Sequence, residues 1–215
     1  MKKILILFCI LLFTTKVFSQ KTFTSADVFT EKNMVWYGLD FTHCKFIGQP
    51  SVHGNFYKSP EYVIKTYFKE WNMIPIKEAD KYDIKKAFEK EYLYFDLDTA
   101  IARNKRFPSD SLIAFSNAYT LNTMAFPDII KSYGGVAKEG IGVVYLVESY
   151  NGIDEIATYY CIVFDVASKK ILQQEKIVSE PHGGNLKTYW AGAFHDAIKK
   201  NGKVYKKWAK EAMVK

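Results

Sequence analysis

The run Ile141-Gly142-Val143-Val144-Tyr145-Leu146-Val147 decides the class expected for this chain. It is almost continuously apolar and rich in valine, the composition of a central strand covered on both faces. Asn151-Gly152 follows as a turn signal. Thr158, Tyr160, Ile162, Phe164 and Val166 then alternate with Cys161 and Asp165, and residues 167–170 turn the chain so that Ile171 to Val178 returns as a hairpin. Pro181-His182-Gly183-Gly184 breaks the pattern. Asn185 caps a helix whose Leu186, Tyr189, Trp190, Ala193, Phe194, Ala197 and Ile198 form an unbroken i, i+3, i+4 stripe. That helix is expected to be a main structural element, with Trp190 in the core.

Upstream, Val35, Tyr37, Leu39 and Phe41 alternate with Asp40 and Thr42, which predicts a half-buried strand over 35–47 with the apolar four on one face. Ser59-Pro60-Glu61 opens a helix, Ser59 as N-cap and Pro60 at the first helical position. Val63, Ile64, Tyr67, Phe68 and Trp71 make its stripe. A second helix is expected from near Asp80 to Glu89, with Ile84, Ala87 and Phe88 inward. Leu93, Phe95, Leu97, Thr99 and Ile101 then alternate with Tyr92, Tyr94, Asp96 and Asp98, as in a strand with one wet face. Residues 102–135 read as loop with short helical turns, the last ended by Gly134-Gly135. No repeat and no low-complexity linker divides the chain. The expectation is one α+β domain over residues 20–215, with helices packed on a mainly antiparallel mixed sheet.

The first residues set the compartment. Met1-Lys2-Lys3 precedes an apolar core from Ile4 to Phe13, and Val17 and Ser19 stand at −3 and −1 of a cleavage point before Gln20. This is the pattern of an export signal over 1–19. The apolar run is about half of the roughly 20 residues that cross a bilayer, and Phe8 before Cys9 does not suit lipid attachment. A secreted product, periplasmic or extracellular, is expected. Three lysines and no acids leave with the signal, so 27 bases face 23 acids in the remaining chain. All the bases but Arg103 and Arg106 are lysine. Reading of phosphate or guanine favours arginine, so nucleic acid is not an expected partner. Cys44 and Cys161 are expected to make no essential disulfide.

No sequence signature names a reaction. A G-x-S-x-G elbow, a phosphate-cradling glycine loop, H-x-x-x-H and C-x-x-C are all missing from the sequence, so no catalytic, cofactor or metal residue is assigned. Four side chains stand as surface candidates. Asp96 and Asp98, at i and i+2 of the expected strand, would place a carboxylate pair on its wet face. Asp40 would sit with Thr42 on the polar face of the strand over 35–47, and His182 would stand in a glycine-flanked loop before the last helix. His43, His53 and His195 are further acid–base candidates. Lys199, Lys200, Lys203, Lys206, Lys207, Lys210 and Lys215 make the C-terminal segment lysine-rich, open to weak attraction to an anionic membrane surface.

Tyr37-Gly38-Leu39-Asp40-Phe41, Lys138-Glu139-Gly140-Ile141-Gly142 and Tyr189-Trp190-Ala191-Gly192-Ala193 resemble an uncharacterised family of secreted proteins from Bacteroidetes-type bacteria. More distantly, the C-terminal hairpin and helix resemble periplasmic accessory lipoproteins that serve curli secretion or activate penicillin-binding proteins, although their lipid-attachment cysteine is missing here. Neither resemblance implies a chemistry. The expected function is an exported, non-catalytic envelope or surface accessory module for a protein or glycan partner. The alternative is a hydrolase using Asp40, Asp96 or Asp98.

Overall fold

The computed structural model describes residues 21–48 and 58–213. The expected signal, its cleavage point at Ser19 and Gln20, and His53 lie outside them. After one helical turn, α1 (Asp27–Thr30), come β1 (Asn33–Asp40) and β2 (Lys45–Ile47), separated by a turn that the Cys44 N–H closes on the Phe41 carbonyl at 2.9 Å. Residues 60–77 are helical in three pieces: α2 (Pro60–Tyr62), a π-helical turn (Val63–Tyr67) and α3 (Phe68–Lys77). Ser59 caps the start as its sequence predicts, its hydroxyl accepting the Tyr62 N–H at 3.3 Å. Then follow α4 (Ile84–Ala87), β3 (Tyr92–Phe95), α5 (Asp98–Asn104), the two-residue β4 (Ile113–Ala114), α6 (Phe126–Lys131), β5 (Ile141–Asn151), β6 (Ile156–Asp165), β7 (Ile171–Ser179) and α7 (Leu186–Met213).

All eleven residues of β5 are buried, and this strand is the spine of the sheet. One of its edges carries β6, antiparallel, with β7 antiparallel beyond it. Its other edge carries β1 along Gly142–Leu146 and β2 along Ser149–Asn151, so β1 and β2 are one interrupted row running parallel to β5. β3 lies parallel outside β1, and β4 parallel outside β2. Of the six pairings among the described residues four are therefore parallel, and helices cover both faces.

This corrects the expected α+β class. The mainly antiparallel sheet predicted from the C-terminal hairpins gives way to a mostly parallel one of α/β type. The physical reason is the connection: helices between residues 60 and 87 lie between β1 and β3. A strand that leaves through a helix returns parallel to itself, whereas two-residue turns make antiparallel neighbours. The hairpins are real, but they occupy one flank only.

β1 shows why an alternation misleads. Its four apolar residues do not share a face. Val35 and Tyr37 pack into the smaller core with Phe126, Ile130 and Tyr133, whereas Met34, Trp36, Leu39 and Phe41 pack into the larger one under α3 and α7. Between the two sets Gly38 takes φ +99°, a backbone conformation open to glycine, and the pairing with β5 slips one residue between Trp36 and Leu39. A Cβ on Gly38 would also stand 2.2 Å from the Asn72 amide oxygen. The slip leaves the backbone of Leu39 and Phe41 without a ladder partner on the β3 side. Two buried asparagines replace it. Asn72 on α3 accepts the Leu39 N–H at 2.7 Å, and Asn104 on α5 accepts the Phe41 N–H at 2.7 Å; both donate to the Leu39 carbonyl.

The strand expected over 93–101 ends at Phe95, and Asp98 opens α5. Leu97, Ala100, Ile101 and Asn104 recur at i, i+3, i+4 and i+7, so the same residues satisfy a helical period, and the helical reading buries Leu97, Ala100 and Asn104. The last helix follows its predicted stripe. The Asn185 side chain accepts the Thr188 N–H at 3.0 Å, and all seven stripe residues are buried. It continues through the lysine-rich segment to Met213, with Tyr205 and Trp208 still packed on the core. Cys44 and Cys161 are both buried and unbridged, and burial raises both thiols.

Candidate functional site

The carboxylates singled out by the sequence do not converge. Asp40 is the last residue of β1 and, at 1 % exposed, is buried rather than wet. After the slip at Gly38 it points to the α5–α6 face. Arg103 on α5 donates to its Oδ2 at 2.9 Å, the Tyr133 hydroxyl donates to the same oxygen at 2.6 Å, and the Thr42 N–H donates to Oδ1 at 2.8 Å. Arg103 also reaches the Ser132 and Thr42 hydroxyls. Burial and the Asp40 charge push the Tyr133 phenol well above its ordinary range, so Tyr133 keeps the proton it donates. The cluster bolts α5 and the end of α6 to the sheet.

Asp96 is buried as well. It accepts the Ala137 N–H at 3.1 Å, and Gly135 at φ +136° brings the loop so close that a Cβ there would stand 2.2 Å from the carboxylate. Asp98 is exposed in the first turn of α5. The expected i, i+2 pair on a wet strand face is therefore not formed, because no strand runs through both residues. Glycosidase-type chemistry requires two carboxyl groups facing each other across an open cleft, and these do not.

His182 is exposed, as its glycine-flanked position predicts, but it is part of a strap across α7. Its N–H donates to the Tyr189 carbonyl at 3.2 Å, and its backbone oxygen would stand 2.1 Å from a Cβ on Gly192. The glycine of Tyr189-Trp190-Ala191-Gly192-Ala193 thus makes room for the strap. The sequence signal for this contact was a glycine inside a strong helix, which usually has a packing reason. His195 lies 5.9 Å ring to ring from His182, and burial followed by the charges of Lys199 and Lys81 lowers its pKa. Half-buried His43 is also lowered, by burial first. Among the described residues no group of three His, Cys, Asp or Glu is placed to hold a metal ion.

What the structure leaves open is the other side of β3. Among the described residues this strand pairs with β1 only. Tyr92 and Tyr94 are each 57 % exposed and Phe95 is 40 % exposed. Leu93 leans on the larger core, and beside the strand runs a groove of about 400 Å³ floored by Pro75, Tyr82 and Ile84 and edged by Asp80, Asp83 and Glu91. Exposed aromatics beside a groove are the usual material of a recognition surface. The alternation of the sequence places Tyr92 and Tyr94 on a wet face, on the same period as Asp96 and Asp98, which carry the more familiar chemistry. A larger hollow of about 570 Å³ lies between α4 and α7, edged by Lys81, Lys86, Lys199, Lys203 and Lys206 and by Asp80, Asp83 and Glu89.

Comparison of the chain with protein-family models, with curated proteins and with solved structures gives no match.

Proposed function

We propose that this chain is an exported, non-catalytic binding module of the bacterial envelope or cell surface, and that its partner docks along β3. The observation that carries the reading is the contrast between the two sets of candidate residues. Asp40 and Asp96 are turned inward and hydrogen-bonded to the fold's own groups, while Tyr92, Tyr94 and Phe95 are turned outward beside a groove. Large exposed aromatics are costly to leave in water and are enriched where partners bury them. Export rests on the residue pattern over 1–19.

The test uses the mature chain beginning at Gln20 as immobilised bait, with cytoplasmic and envelope fractions offered separately. The expected result is an envelope component retained by the wild type and weakened at least tenfold by the double variant Tyr92→Ser, Tyr94→Ser, the loss typical of truncated interface aromatics. Its melting curve should match the wild type, because both rings are exposed. Undiminished capture by the variant, or capture from cytoplasm alone, would contradict the proposal.

A further inference from the structure

We infer that β3 is a docking edge for an extended, positively charged peptide segment, which joins the sheet as one more strand; this deepens the reading above and rests on it. The argument starts with backbone valences. The N–H groups of Tyr92 and Asp96 donate inward, to the Lys32 and Trp36 carbonyls at 3.2 and 3.0 Å. A parallel ladder uses alternate residues of a strand. The N–H groups of Leu93 and Phe95 and the Leu93 carbonyl therefore face away from β1, and none has a partner among the described residues. The two outward N–H groups are spaced at roughly 6.6 Å, the repeat at which another extended chain presents its carbonyls. A row of this kind recognises an extended backbone whatever its side chains.

The sheet's opposite edge shows the contrast. β7 carries Gln174, Glu175 and Lys176 along its length, the polar and charged residues that discourage further pairing, and Ser25 reaches across to the Leu172 carbonyl. β3 reads Tyr92-Leu93-Tyr94-Phe95, with no charge and no proline in the strand itself. Charge selects the occupant. Asp80, Asp83 and Glu91 edge the groove against Lys85, with Lys32 holding Glu91 at 2.7 Å; before the strand Glu89 is offset by Lys90 and lies 4.0 Å from Lys206, and after it stands Asp98. The lining of the groove thus carries three acids against one lysine, on a chain whose formal net charge is +7. A second copy fits poorly, because two-fold pairing of β3 with itself would bring Glu91 towards the Asp98 end of its mate, and like charges facing across a ladder destabilise it. A peptide with lysine or arginine at its ends has the opposite sign there.

The probe is a fluorescein-labelled peptide of alternating threonine and valine with two lysines at each end, titrated into the mature chain at low salt. Phe95→Pro removes one outward N–H and leaves the ladder to β1 intact, as proline is tolerated where an edge N–H faces outward. Phe95→Ala removes the ring and keeps the N–H. The expected result is saturable binding that Phe95→Ala changes by less than about threefold and Phe95→Pro weakens at least tenfold, both variants melting cooperatively; glutamates in place of the peptide's lysines should weaken it at least fivefold. No binding, or equal loss in the two variants, overturns strand addition. If the envelope component of the preceding test then still requires Tyr92 and Tyr94, the docking face stands and its ligand is a glycan stacked on the rings. If Phe95→Pro instead abolishes a concentration-dependent dimer, the occupant is a second copy and the peptide proposal fails.

Discussion

Trp190→Ala is expected to cost about 3–5 kcal/mol of folding stability, the typical effect of removing a buried large aromatic and leaving its cavity. The indole is 1 % exposed. It stacks on Tyr150 at 4.5 Å and 7°, meets Phe46 edge-on at 6.3 Å, and through Tyr150 joins Trp71 and Phe41 in one aromatic layer between α7 and the β2–β5 end of the sheet. A domain of ordinary stability holds roughly 5–15 kcal/mol in total, so the variant should unfold at much lower urea and be poorly folded at 37 °C. The indole N–H has no hydrogen-bond partner among the described residues. Trp190→Phe should therefore recover most of the loss, since it restores ring packing and abandons no hydrogen bond. Urea unfolding of both variants checks this. A Trp190→Ala protein that unfolds like the wild type would place the residue outside the core and overturn the packing described here.

Arg103→Met should have the second large effect, on the order of 3 kcal/mol at neutral pH. Breaking a buried ion pair by removing one partner leaves an uncompensated charge. Asp40 is fully enclosed, and Arg103 is only partly exposed to solvent. A double-mutant cycle distinguishes this from lost packing. Asp40→Asn removes the charge that Arg103 compensates, so Arg103→Met should cost less in the Asp40→Asn background than in the wild type, read by urea unfolding at neutral pH. An equal cost in the two backgrounds would mean that only the arginine's stem mattered.

The sequence was most legible where one period held without interruption. The α7 stripe, the apolar run Ile141–Val147 of β5 and the β6–β7 hairpin each follow from local pattern, because each buries one unambiguous set of side chains. The sheet's direction was less legible. It depends on which strands are neighbours, and the evidence for parallel strands was the helical connection before Tyr92 rather than any strand's own residues. β1 failed differently. Gly38 admits a left-handed residue that reverses the alternation, and nothing in Val35-x-Tyr37-x-Leu39 marks the reversal except the glycine. Asp40 therefore read as wet although it is the most enclosed acid of the three. At 97–104 two periods fit the same residues, and tertiary burial of Leu97, Ala100 and Asn104 chose the helix. The candidate edge was half visible: the alternation correctly exposed Tyr92 and Tyr94, but an edge strand is defined by the neighbour it lacks, which a single strand's sequence does not record.

Amide hydrogen exchange at Leu93 and Phe95, measured in the purified chain from Gln20 onward at a concentration where it is monomeric, tests the open edge most directly. A free N–H facing solvent exchanges readily, whereas one paired in a ladder is protected by the opening free energy of its unit. Both amides should exchange fast while those of Tyr94 and Asp96, pointing toward β1, are slow. On adding the lysine-ended peptide, Leu93 and Phe95 should slow at least tenfold. Slow exchange of Leu93 and Phe95 in the monomer before any partner is added would show that the edge is already covered, and would contradict β3 as the working surface of this protein.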